Sequence, residues 1–189
     1  MVLSWFGSDY PQDQALQHIP TVLGLLLLAL AHRRRWLSVT SFLCITVFIW
    51  LHILGARWVY SNVPYDQWLT DSFGFSPREY FGWHRNHYDR LVHFSFGLLF
   101  LFPITEVCQQ AGGLSRRLAL SFALLGLTAV GAVYEIIEWI VAECMSPEHA
   151  ESYNGQQGDF FDAQKDLGLA LLGSILGAIV PLVRRPNNR

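Results

Sequence analysis

Three aspartates, Asp159, Asp162 and Asp166, lie in the stretch GDFFDAQKD over Gly158–Asp166, which opens the last apolar run of the chain. Spacings of three and four put the three carboxylates on one face if the stretch is helical. The run that follows, Leu167–Val183, contains Gly168, Gly173 and Gly177 and no charge. Acids inside apolar helices are costly and are functional candidates by default. Glu135 sits in the same way inside an apolar run, with Glu138 three residues on. His93 follows Asp89 by four residues, and His52 lies toward the end of another apolar run. Imidazole and carboxylates gathered at one level of a helical bundle make the ligand set of a divalent metal ion. An oxygen-rich set with one or two His suits Zn, Mn, Fe or Mg. Such an ion can activate water and polarise a phosphoryl or carbonyl group.

The elements that must position these residues are membrane helices. Of the 189 residues, 52% are hydrophobic and only 15% charged, a composition that points to a polytopic membrane protein. The net charge of −2 gives no case for nucleic-acid binding. The first ten residues carry no Lys or Arg, so no cleaved signal peptide is expected. Cys44, Cys108 and Cys144 follow no metal or disulfide spacing. Apolar runs over residues 16–31, 36–58, 91–108, 118–141 and 163–183 approach or reach the ~20 residues that cross a hydrocarbon core. The chain therefore reads as one all-α domain of five transmembrane helices. Pro20 suits the first turn of the first span, Pro103 is placed to kink the third, and Ser115 suits the N-cap of the fourth.

Basic residues orient the bundle. Arg33, Arg34, Arg35, Arg116, Arg117, Arg184, Arg185 and Arg189 share one side if there are five spans; Arg57, Arg78, Arg85, Arg90 and Lys165 share the other. The positive-inside rule makes the first side cytoplasmic, with the N-terminus outside and the C-terminus inside. Of the acids, only Glu106 then falls inside. The outer segment 60–89 is long enough to be functional. In it, Ser76-Pro77-Arg78-Glu79 has the spacing of a capping box and predicts a short helix, which the neighbouring aromatics would hold at the interface. Ser146-Pro147 suits another short turn, and Glu143, Glu148, His149 and Glu151 read as solvated loop.

Counted from the cytoplasmic ends, His52, His93, Glu135 and Asp166 all arrive at about 22–27 Å, near the outer edge of the core. Asp89, Glu138 and Asp162 come one turn further out. These depths predict a metal held by His52, His93, Glu135, Asp162 and Asp166, with Asp89 and Glu138 as candidate catalytic groups. Arg57, Arg90 and Lys165 stand close enough in sequence to bind an anionic substrate.

Structural readings compete at several positions. Asp159 or Asp162 suits the N-cap of the last helix. Asp89 and Arg90 suit an interfacial ion-pair network with Lys165 or Glu138. His52 suits a packing role, His84 and His87 suit polar groups at the interface, and Gly173-xxx-Gly177 suits helix packing.

Four blocks carry a resemblance: HxxGARWVYSNVP (His52–Pro64), YDRLVHFSFG (Tyr88–Gly97), YEIIEW (Tyr134–Trp139) and GQQGDFFDAQKD (Gly155–Asp166). Together they resemble the YjdF-like family of bacterial inner-membrane proteins over roughly residues 40–180. The resemblance implies a multi-pass protein of the bacterial inner membrane and leaves its chemistry open. More loosely, Asp89-Arg90-Leu91-Val92-His93-Phe94 resembles the DKxxHF pattern of VanZ-like proteins, with Arg for Lys. VanZ-like proteins are associated with resistance to glycopeptide antibiotics, which implies a lipid-linked or envelope substrate.

The expected function is a metal-dependent hydrolase or transferase acting on a lipid or lipid-linked headgroup at the outer leaflet. Two other classes stand beside it: a structural or partner-binding membrane protein, and an ion-coupled transport component. Transport would need an acid chain reaching the cytoplasmic half, where only Glu106 is available.

Overall fold

A computed structural model of the protein describes residues 2–146, 150 and 153–183. Among these residues all regular structure is helical. A 3-10 turn at Val2–Trp5 precedes seven α-helices: α1 (Pro11–Arg33), α2 (Val39–Arg57), α3 (Tyr65–Phe73), α4 (Pro77–Phe81), α5 (Tyr88–Gln110), α6 (Arg116–Glu143) and α7 (Asp162–Val183). Four of them, α1, α2, α5 and α6, are long and apolar enough to cross a membrane. Helix α7 covers the fifth expected run and packs along α5. Arg184, Arg185, Arg189, Pro147, Glu148, His149 and Glu151 lie outside the described residues.

The long helices start and stop for local reasons. Ser38 caps α2 by accepting from the Ser41 amide, an N-cap contact that satisfies one orphan amide. Ser115 occupies the N-cap position of α6 without a side-chain cap bond. Pro11 stands at the start of α1, where a missing N–H costs nothing. Pro20 is not in the first turn of that helix but in its interior. The helix begins ahead of the expected residue 16, and Asp13 and Gln14, which precede the expected run, are buried in the bundle.

Helices α5 and α7 run in the same direction and make the most extensive helix packing among the described residues. A Cβ on Gly97 would collide with the Ala170 carbonyl oxygen, and one on Gly173 with that of Phe94. Gly177 faces the Leu98 carbonyl, where a Cβ would stand at 2.9 Å. Small residues let two backbones approach in this way when no hydrophobic gain drives them together. Gly173-xxx-Gly177 is thus a packing surface.

At the opposite end of α5, Glu106 accepts hydrogen bonds from the Ser38 amide (2.9 Å) and the Ser41 hydroxyl (2.5 Å). It closes the exposed N-terminus of α2, where the helix dipole favours a negative charge. This partner accounts for the one acid expected on the cytoplasmic side.

The segment between α2 and α5 holds two short helices where one was expected. Helix α4 begins as the capping box predicts, with Ser76 Oγ accepting from the Glu79 amide. Helix α3 precedes it and is tied to it by Asp66, which accepts from Ser76 Oγ (2.9 Å) and the Arg78 amide (2.8 Å). Gly74 (φ 64°) and Gly82 (φ 65°) end the two helices in the left-handed conformation, which glycine adopts without strain. Trp68, Phe73, Tyr80 and Phe81 are exposed along this segment, the distribution of an interfacial belt.

Candidate metal centre

Four side chains from three helices meet where α5, α6 and α7 approach one another. His93 Nε2 lies 3.5 Å from Asp89 Oδ1, one turn earlier on α5, and 3.7 Å from Glu135 Oε1 on α6. Asp166 enters from α7, and one ligand atom each from Asp89, His93 and Asp166 lie within 4.8 Å of one another. The α5–α7 glycine contacts bring Asp166 this close, because they set the register between the two helices. Asp166 is buried, and the side chains of Asp89, His93 and Glu135 are each less than one-fifth exposed.

The residues present fit a divalent ion. Asp166 Oδ1 and Glu135 Oε1 are buried without a hydrogen-bond partner, an expensive state for a carboxylate oxygen. The two separations from His93 Nε2 are too long for hydrogen bonds. They are close to the ~3.4 Å edge of a tetrahedron with bonds of ~2.1 Å, as around zinc. Among the described residues, no Lys or Arg pairs with Asp89, Glu135 or Asp166 within 4.0 Å. Three carboxylates and an imidazole at this depth need a cation or shared protons for neutrality.

The outer acids are bound differently. Asp159 pairs with Lys165 (2.6 Å) and Arg90 (2.5 Å). Asp162, expected as a metal ligand, instead pairs with Arg85 and stands 3.5 Å from Arg90. This lattice fastens the end of the 60–89 segment to the start of α7. Arg85 also donates to the Gln156 and Gly155 carbonyls, and Asn86 and Gln157 exchange hydrogen bonds beside it. The Lys165 hydrogen bond, followed by the Phe161 amide and Arg90, holds the Asp159 carboxyl well below its usual range. Burial, with Arg90 and Arg85 beside it, holds the His87 imidazole below its usual value. Asp159 Oδ1 accepts from the Phe161 amide just ahead of α7, a local turn contact.

Other expected participants are elsewhere. His52 is outside the metal group. Its Nε2 contacts the Gln17 carbonyl at 2.9 Å and its Nδ1 is hydrogen-bonded to the Tyr60 hydroxyl, so both ring nitrogens are engaged. Gly55 makes room for that tyrosine, since a Cβ there would stand 2.6 Å from the Tyr60 ring. Burial pushes the Tyr60 hydroxyl well above its usual pKa. Arg57 donates to the Ser4 carbonyl (2.6 Å) and the Gly7 carbonyl (3.0 Å), holding the N-terminal turn. Of the expected anion-binding residues, Arg57 therefore serves the fold, and Arg90 and Lys165 serve the lattice. Arg90 Nε is buried without a partner and keeps a donor to offer. Glu138, a candidate catalytic group, sits one turn beyond Glu135 on α6 and is partly buried.

Two features escaped the sequence reading. Arg85 stood in a loop with no periodicity to mark it. On α1, Gln14, Gln17, His18 and Thr21 are buried, and their spacing of i, i+3, i+4, i+7 is a signal the sequence did carry. They make a polar stripe that meets His52 and, through a 3.3 Å hydrogen bond to Gln17, Tyr134 of α6. From Asp89 and His93 a cavity of about 550 Å³ extends between α1, α2, α5 and α6.

The chain matches, over residues 1–187, the family model described as "Predicted membrane protein (DUF2238)". It is 32% identical over 167 residues to the inner membrane protein YjdF of Escherichia coli (strain K12), covering 87% of this chain and 75% of that protein. No solved structure matches. The blocks that carried the resemblance bring Asp89, His93, Glu135 and Asp166 to the candidate centre. With four helices long and apolar enough to cross a membrane and this relative, the protein is a multi-pass inner-membrane protein. It belongs to the DUF2238 family, which includes YjdF.

Proposed function

We propose that the protein is a metal-dependent hydrolase or transferase acting on a lipid or lipid-linked phosphoester at the outer leaflet. It crosses the membrane five times, with its N-terminus outside and its C-terminus in the cytoplasm. The observation that supports this reading best is the pair of buried, unpartnered oxygens on Glu135 and Asp166 around His93. Asp89, His93, Glu135 and Asp166 would hold one divalent ion. Bound there, the ion would supply Lewis acidity to a phosphoryl oxygen. Glu138, one turn further out, would take or give the proton of the attacking or leaving oxygen. Arg90, through its unpartnered Nε, would hold the anionic part of the substrate. Asp159, Asp162, Arg85 and Lys165 would keep the outer segment closed over the site.

The test is to purify the protein in detergent without chelator and measure bound metal by mass spectrometry, beside Asp166→Ala and His93→Ala. A near-stoichiometric metal, lost in both variants, is the expected result. No metal above background in folded wild-type protein would end the metalloenzyme reading.

A structural or partner-binding role is the second reading, and the lattice of five charges joining the outer segment to α7 favours it. It predicts that Glu135→Ala and Asp166→Ala leave cellular function intact, whereas Arg85→Ala abolishes it. For the topology, single cysteines replacing Asn62 and Ala150 in a chain without Cys44, Cys108 and Cys144 should react with an impermeant reagent from the periplasm. Labelling of either from the cytoplasmic side alone would overturn the topology.

A further inference from the structure

We propose that the cavity between α1, α2, α5 and α6 is the binding site for one hydrocarbon chain of a membrane lipid, entered sideways from the bilayer. The inference rests on the lipid-substrate reading above and assigns the part of the substrate that the centre does not touch. The cavity has about 550 Å³ of space, well within the range of ligand sites at ~300–1,000 Å³. Along α5 its lining runs from Asp89 to Val107, a rise of about 27 Å. That nearly equals the ~30 Å hydrocarbon thickness, so the space is long as well as large.

Its polarity is graded. Asp89, His93, His52 and Tyr60 stand at one end, and the rest is walled by side chains such as Leu28, Ile45, Phe48, Phe100 and Ile104. A water molecule needs several polar partners to occupy a cavity, and those walls supply none. One polar end and one long apolar body match a lipid with its headgroup at the candidate centre and its chain below.

The walls also leave a way in. Helix α1 packs against α2, and no extended packing joins α1 to α6 among the described residues. The Tyr134–Gln17 hydrogen bond bridges α1 and α6 at the polar end. Below that bridge, the side facing the bilayer is the natural entrance for a chain. Gly24 of α1 lines the space, and a Cβ there would meet nothing within 4 Å. Bulk can therefore be added at Gly24 without striking the backbone.

The experiment uses the full chain in phosphatidylcholine nanodiscs with a lysophosphatidic acid bearing a diazirine at the end of its chain. Peptide mass spectrometry reads the crosslinks. In wild type they should fall on inward residues such as Leu28, Phe100 and Ile104. Gly24→Phe should lower them at least about tenfold, which corresponds to ~1.4 kcal/mol of binding. Gly126→Phe, on α6 outside the cavity and equally free of contacts, should leave them unchanged. Ile104→Trp fills the space from α5 and replaces Gly24→Phe if that variant does not fold. Crosslinks confined to lipid-facing residues such as Phe122 and Leu125, or equally strong after either filling substitution, would overturn the proposal. Asp166→Asn separates the two readings. Retained inward crosslinks with no metal in any sample would leave the chain site standing and remove the metal centre. Metal present, with crosslinks indifferent to Gly24→Phe, would do the reverse.

Discussion

His93 Nε2 of α5 lies 3.7 Å from Glu135 Oε1 of α6, a separation that joins two helices without a hydrogen bond. If an ion fills the space, Glu135→Gln keeps the shape and removes a ligand charge. Metal affinity should fall by at least about tenfold, since disturbing even a group that only orients a ligand costs that much. In excess chelator the sign reverses. The wild type then carries three carboxylates crowded at one depth, and the neutral amide relieves part of that repulsion. Glu135→Gln should therefore unfold at a higher temperature than wild type without metal and at a lower one with it. A purely structural contact would lower the midpoint under both conditions.

The Gly97–Ala170 approach gives a second prediction, this one about the scaffold. A Cβ on Gly97 runs into the Ala170 carbonyl oxygen and reaches 2.7 Å from the Ser174 amide nitrogen, both of them backbone. Neither can rotate away, so Gly97→Ala should cost about 1–3 kcal/mol by overpacking. Gly126→Ala meets open space and should be neutral or stabilising by up to about 1 kcal/mol. Thermal unfolding in detergent compares the two directly. The Gly97 variant should also lose metal, because the same contact sets the position of Asp166.

What sequence revealed and what it hid have a common physical origin. Helix existence follows from composition and length, so each of the five apolar runs is a helix within a few residues of its expected bounds except at the start of α1. Four of these helices are long and apolar enough to cross a membrane. At the start of α1, the polar residues Asp13 and Gln14, ahead of the expected run, are buried in the bundle. Counting rise from the helix ends far from the site brings His93, Glu135 and Asp166 to one level, because helical rise is regular. It placed His52 at that level too, since depth says nothing about which way a side chain faces. His52 turns toward Gln17 of α1 and Tyr60, away from the group at His93. Charges in loops were the least legible. Arg85 and Asp162 are 77 residues apart, and no local pattern announces such a pair.

Glu106 offers a test against transport. Its carboxylate is engaged by the Ser38 amide and the Ser41 hydroxyl, so its role is to close the start of α2. Glu106→Ala should cost roughly 1–2 kcal/mol, as loss of a helix cap does, and leave metal stoichiometry unchanged. An acid in a proton path would show the opposite pattern, with stability unchanged and proton uptake into proteoliposomes lost.

Asp159 makes the lattice sensitive to acid. Hydrogen bonds from Lys165, the Phe161 amide and Arg90 hold its carboxyl below the usual range, so its folded pKa is depressed relative to the unfolded chain. A depressed carboxyl contributes stability that is present above its unfolded value of ~3.9 and is lost as pH falls toward the folded one. Wild type should therefore be more stable than Asp159→Asn by a constant margin from neutral pH down to about 5. Below about pH 4 the margin should shrink as Asp159 takes up its proton in the unfolded state and then in the folded one. Salt should also narrow the margin at neutral pH, because Lys165 is about half exposed and its pairing is open to screening. Unfolding midpoints of both proteins across this pH range give the margin directly. A margin that widened toward acid would show that Asp159 is not held as a carboxylate by Lys165 and Arg90, and that the outer segment is fastened to α7 by other contacts.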